Sequence, residues 1–307
     1  MKKVIAVAVA LMASTVQASS GLDFGDLNFF QKSGQFNLTS NVSVTNAEIE
    51  DEGTNSKFER NGYIFDNRLA YGLADNLNVF VGLDYAFDYK TELRGSSRSK
   101  NDGISNPRLG ANYRVMNQSD SAVNLDFGVV ADIRLQDAED GIAGEDGQYN
   151  RGNHSLQINS SIGRKWNEAN EWRVTVAATQ QFEGETEFKT PAGNTDIETD
   201  ASTDLSLTAA YQYRPVQEFM LAVAGQAIRV GEVDSKNKGA GTDSTAEDHM
   251  DYNFTFSAKY LITETFIAKF NYGISRLAEY DVETSGTDSE QADRQANFYG
   301  WGIDWLF

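Results

Sequence analysis

Residues 77–89 read LNVFVGLDYAFDY, and their alternation decides the fold. Leu77, Val79, Val81, Leu83, Tyr85, Phe87 and Tyr89 share one parity; Asn78, Phe80, Gly82, Asp84, Ala86 and Asp88 share the other. Successive side chains of a strand point to opposite faces, so a period of two held over this length gives one wholly apolar face and one that is mostly small or polar. The pattern returns in AVNLDFGVVADIRL (122–135), where Val123, Leu125, Phe127, Val129, Ala131, Ile133 and Leu135 face away from Asn124, Asp126, Gly128, Asp132 and Arg134.

Runs of this type recur near residues 35–45, 58–73, 77–90, 106–115, 122–135, 154–166, 171–182, 202–214, 219–230, 250–260, 266–280 and 296–307. Each reaches the ~9 to 11 residues that a tilted strand needs to cross a bilayer. Short joins (ADN at 74–76, MNQSDS at 116–121, NEAN at 167–170, PVQE at 215–218, LITET at 261–265) alternate with long ones rich in Gly, Ser, Thr and acid. Aromatic residues flank both ends: Tyr71, Tyr113, Trp172, Tyr213, Phe219, Tyr260, Phe266 and Trp305 by the short turns, and Tyr63, Tyr89, Phe182, Tyr252 and Tyr280 toward the long joins. Even strand number, alternating loop lengths and two aromatic girdles are the grammar of outer-membrane barrels. The expectation is an all-β, twelve-stranded transmembrane antiparallel β-barrel over residues 35–307. A soluble β-sandwich would share the alternation but not the other two features.

At the N-terminus Lys2 and Lys3 precede an apolar run, and ASTVQA (13–18) offers small residues for cleavage after Ala18. This predicts a signal peptide over 1–18 and export to the bacterial outer membrane of a Gram-negative cell. Residues 19–34 form a segment expected to hang in the periplasm or to tuck into the lumen. At the other end NFYGWGIDWLF (297–307) places Tyr299, Trp301, Ile303, Trp305 and Phe307 on one face, which suits lipid and the barrel signal read by the barrel-assembly machinery.

Composition narrows the function. The chain has no cysteine, and three prolines against 26 glycines suit long strands. Its net charge is −19, which becomes −21 without Lys2 and Lys3, so nucleic acid is excluded as a partner. Across the six long joins 27 acids face 9 bases, a negative vestibule that would concentrate cations, or else a solvated or divalent-bridged rim beside anionic lipopolysaccharide. DAEDGIAGEDG (137–147) lacks the ligand spacing of a calcium loop, and no metal, cofactor or catalytic residue is assigned.

Charged side chains in the polar register must face the lumen, because a charge on the lipid face costs roughly 2 to 4 kcal/mol at mid-membrane. Arg68, Asp84, Arg108, Arg114, Asp126, Arg134 and Lys269 are therefore the candidate solute pathway, either orienting a solute or filling a narrow barrel. Inward small residues, among them Gly110, Gly163 and Gly273, are expected to leave free volume. An enzymatic barrel would need an imidazole base. His154 and Ser155 are adjacent and so point to opposite faces, and His249 offers only its neighbour Asp248.

The pieces DGISNPRLGANYRV (102–115), AVNLDFGVVADIRL (122–135), QDAEDGIAGEDGQYNRGN (136–153) and HSLQINSSIGRKW (154–166) resemble, in order and character, the outer-membrane transporter family of meta-pathway phenol degradation. Ser105 and Asn106 stand where that family has a second Gly-Asp, and its Pro-Thr-Gly-Asp is absent after Leu135. The resemblance implies a porin-like channel for passive uptake of small, hydrophobic or aromatic compounds, and it carries over no catalytic residue. The alternatives are a barrel enzyme of lipase or protease type and a surface-contact barrel with a filled lumen.

Overall fold

In the computed structural model, residues 24–51, 56–93, 98–135, 138–141, 144–149, 152–191, 193–285, 287–291 and 294–307 are described. Twelve strands close a ring: β1 (Phe36–Asp51), β2 (Ser56–Ala74), β3 (Leu77–Leu93), β4 (Arg108–Met116), β5 (Asn124–Asp132), β6 (Asn153–Asn167), β7 (Asn170–Thr190), β8 (Ser202–Val216), β9 (Phe219–Val230), β10 (His249–Thr263), β11 (Phe266–Leu277) and β12 (Arg294–Leu306). Each is antiparallel to its neighbours, and β12 returns to β1 with Val42 opposite Trp301 and Leu38 opposite Trp305. The seam is finished by backbone bonds between Phe36 and Phe307 at 2.6 and 2.9 Å, with the two rings stacked. Closure leaves no ladder edge exposed, which a strand in lipid requires.

The apolar register faces outward along the whole ring. Phe87, Val176, Phe254 and Trp301 are all more than half exposed, as residues covered by lipid rather than by protein should be. Tyr299, Ile303 and Trp305 continue this face on β12, each opposite an outward apolar partner on β11. The outer surface also carries hydrogen-bonded polar pairs, among them Ser40 on β1 and Asn67 on β2, 2.7 Å apart.

The long joins hold more structure than turn-rich composition suggests. Several are β-ribbons: Gly193–Thr199 folds back on the upper part of β7, Val233–Asn237 pairs with Thr242–Ala246, and Tyr280–Thr284 pairs with Thr287–Gln291. Neighbouring ribbons also bond to one another, so part of the sheet continues beyond the apolar belt. Acid-rich sequence tolerates this because the bases are spent as cross-strand clamps. Lys238 bridges Glu185 and Glu198 at 2.9 and 2.8 Å, and these hydrogen bonds push its pKa up. Lys189 holds Glu139 and Arg60 holds Asp140 in the same way. Residues 137, 142 and 143 of the calcium-like stretch lie outside the described residues, as do residues 1–18.

The barrel has an apolar core, and it lies inside the ring at the short-turn end. Met220, Leu261, Ile267 and Leu306 stand in the inward register of β9 to β12, and Phe24 packs among them, 2% exposed. Burying a ring this fully is worth roughly 1.5 to 3 kcal/mol. Phe29 packs against the same cluster and edge-on to Phe24.

Candidate functional site

The segment ahead of β1 enters the lumen from the short-turn side, the periplasmic end by loop length. Its backbone turns at Gly25, where φ is +90° and a Cβ would come within 2.6 Å of Ile267. Polar contacts then fix it to several strands of the wall. Asp26 pairs with Arg214 and with Lys165, the latter at 2.8 Å. Glu171 accepts the Leu27 and Asn28 backbone N–H groups at 2.7 and 3.3 Å and the Asn28 amide at 3.1 Å, while Gln212 donates to it at 2.7 Å. Lys259 donates to the Gly25 carbonyl at 2.8 Å, and Arg114 donates to the Asn28 carbonyl at 2.9 Å. The residues around 24–34 thus form a plug. Gly163 serves the plug rather than leaving space, since a Cβ there would lie 2.0 Å from Asn28 Oδ1.

The plug separates two cavities. Toward the periplasm lies one of about 820 Å³, bordered by Asp26, Phe29, Phe30, Lys32, Asp75, Arg114 and Glu168. Above the plug a cavity of about 500 Å³, bordered by Arg68, Phe80, Asn112, Gln157, Asn159 and Lys259, runs into one of about 490 Å³ lined by Asp66, Arg108, Asp132, Asp204 and Ile228. Arg68, Phe80, Gln157 and Gln226 border both, so the upper lumen is one space.

Five of the seven candidate residues fall into three groups, and Arg134 and Arg68 stand apart. Arg108 reaches Asp66 at 2.9 Å and also pairs with Asp84, a triad across β2, β3 and β4. Arg114 and Asp126 pair at 2.7 Å, Arg173 joins them at 3.0 Å, and Arg114 lies over the Phe30 ring. Lys269 pairs with Asp304 at 2.8 Å, and Thr39 donates to the same carboxylate. Arg134 lies just past β5 at the rim, where its backbone N–H donates to His154 Nδ1. Arg68 belongs to none of these groups.

Two glycines expected to widen the lumen instead receive rings. A Cβ on Gly110 would sit 2.3 Å from Phe80, and one on Gly273 would sit 2.0 Å from Phe298. The plug-binding residues Glu171 and Gln212 and the inward cluster were not singled out in the sequence. Their signal was the appearance of Met220, Leu261, Ile267 and Leu306 in the polar register near short turns.

Among the described residues, no hydrolase constellation forms at either histidine. Ser155 donates to Asp132 at 2.8 Å, not to His154. Asp248 pairs with Arg229, while the His249 ring stacks on Tyr280 and stands 3.6 Å from Asp251.

No protein-family model and no curated protein matches the chain. Solved structures do. The COG4313 outer membrane channel from Pseudomonas putida F1 aligns with a TM-score of 0.58 at 13% identity, over 92% of this chain and 98% of that one. The NanC porin aligns at 0.48 and 8% identity, over 87% and 98%, and the TodX monoaromatic hydrocarbon channel at 0.47 and 10%, over 91% of each chain. The chain has the fold of bacterial outer-membrane β-barrels, and its outward apolar belt suits that membrane.

Proposed function

We propose that the protein is a plugged outer-membrane channel for passive movement of small solutes, and not an enzyme. The observation that carries this reading is the continuous upper lumen, closed below by a segment held through hydrogen bonds, ion pairs and side-chain packing alone. Those contacts can be broken and remade while the closed ladder of the wall stays intact. Hydrophobic or aromatic compounds remain the solute class implied by the meta-pathway resemblance at residues 102–166. The outward ladder Tyr299, Trp301, Ile303, Trp305 and Phe307 would meet lipid, with lipopolysaccharide at the rim, and would serve the assembly machinery as its signal.

A filled, non-conducting barrel is favoured by one observation, the density of ion pairs across the lumen. Single-channel recording of refolded protein separates the two. Discrete conductance that grows when residues 24–34 are deleted supports the channel; a folded, heat-modifiable barrel silent both with and without that segment overturns it.

A further inference from the structure

Most inward bases among the described residues are matched with a carboxylate; Arg68 and Lys259 are not, and Lys259 instead donates to the Gly25 carbonyl and the Gln212 side chain. Arg108 is matched with Asp66 and Asp84, Arg114 and Arg173 with Asp126, Lys269 with Asp304, and Lys165 and Arg214 with Asp26. Arg68 has no ion pair and no hydrogen bond among the described residues; its one close partner is the Phe80 ring, with Cζ 3.8 Å from the centroid. The nearby carboxylates Asp66 and Asp304 are engaged by Arg108 and Lys269.

The placement is built. Phe80 is pressed over Gly110, which has no Cβ to obstruct it, and Arg68 lies on the ring as the next layer. A guanidinium stacked by its face keeps its N–H edge free, and that edge matches the two oxygens of a carboxylate. Arg68 also borders both halves of the upper lumen, so any solute descending to the plug passes it. Amide groups of Gln157 and Gln226 stand on the same walls and can bond a polar substituent without adding charge.

We infer that the stack of Gly110, Phe80 and Arg68 is a binding station for a small organic monocarboxylate on its way through the lumen. The inference rests on the channel reading for its purpose, but not for its chemistry. Arg68 is the cation there with neither an ion pair nor a hydrogen bond among the described residues, and one free guanidinium edge suits one carboxylate; a second negative charge would add to the repulsion from Asp66 and Asp304. Phe80, seated against Gly110 and under Arg68, orients the guanidinium.

Isothermal titration of the refolded wild-type barrel in detergent with sodium benzoate, benzamide and inorganic phosphate tests it without any current. Benzoate is expected to bind, benzamide to bind at least tenfold more weakly, and phosphate less well than benzoate. Arg68→Gln should weaken benzoate binding at least tenfold, and Arg68→Lys should fall between, with heat-modifiable migration showing that each variant folds. Benzamide matching benzoate, phosphate exceeding it, or Arg68→Gln leaving benzoate binding unchanged overturns the station. A conducting wild-type barrel that binds no benzoate overturns the station and leaves the channel standing. Benzoate binding through Arg68 in a barrel that never conducts keeps the station and removes the channel.

Discussion

Gly25 approaches Ile267 so closely that any β-carbon on it would stand 2.6 Å from the isoleucine Cδ1. The left-handed backbone at Gly25 adds a second demand, since an L-residue there costs roughly 1 to 2 kcal/mol. Gly25→Ala should therefore undock the plug while leaving the ring of strands intact. The expected result is larger or longer openings in single-channel recordings, together with protease cleavage within residues 24–34, at unchanged heat-modifiability.

Glu171 gathers four donors, three of them from the plug, and is 3% exposed. Glu171→Gln replaces one accepting oxygen by an amide that faces donors. Hydrogen bonds to a charged group are worth about 1.5 to 3 kcal/mol each, so losing even one should raise amide exchange across residues 24–34 markedly. Protection equal to wild type over that segment would count against the plug being held at Glu171.

Arg108 neutralises the facing pair Asp66 and Asp84 within the upper lumen. All three side chains are partly open to the lumen, so the stability cost of Arg108→Gln should stay near about 1 kcal/mol. Its effect on ions should be larger. Two uncompensated carboxylates attract cations, and the reversal potential in a salt gradient should shift toward cation selectivity; no shift would mean that ions do not pass the triad.

Ser40 donates its hydroxyl to the Asn67 side-chain oxygen on the outer surface. Asn67→Leu alone strands the serine hydroxyl, at a cost of about 1 to 3 kcal/mol, whereas the double change Ser40→Ala with Asn67→Leu removes both polar groups and should recover most of that loss. Denaturant unfolding in lipid vesicles measures both. Additive losses in the double variant would show that the pair is not coupled.

Much of the barrel was legible because lipid and lumen impose opposite preferences on alternate positions. Strand β3 shows this most plainly, with Val81 and Phe87 exposed outside and Asn78 and Asp84 turned inside. The extended ribbons were less legible, since Asp, Gly and Thr are turn residues as readily as strand residues when charge clamps such as Lys238 are not visible. The lumen was legible only in its inventory. Arg114 reads as a wall charge in the sequence, yet its partners include the Asn28 carbonyl, 86 residues earlier, and no local pattern announces that contact. Phe24 was equally silent, because its packing depends on four inward apolar residues contributed by β9 to β12.

The cluster that holds Phe24 joins the two ends of the chain. Gln35 leads straight into β1, while Leu306 belongs to the final strand, and the wall between them is complete only when β12 zips onto β1. A segment bound inside a closed cylinder must either be threaded afterwards or be wrapped as the cylinder shuts. Its direct attachment to the seam strand favours wrapping, which would make closure of the wall and docking of the segment a single event.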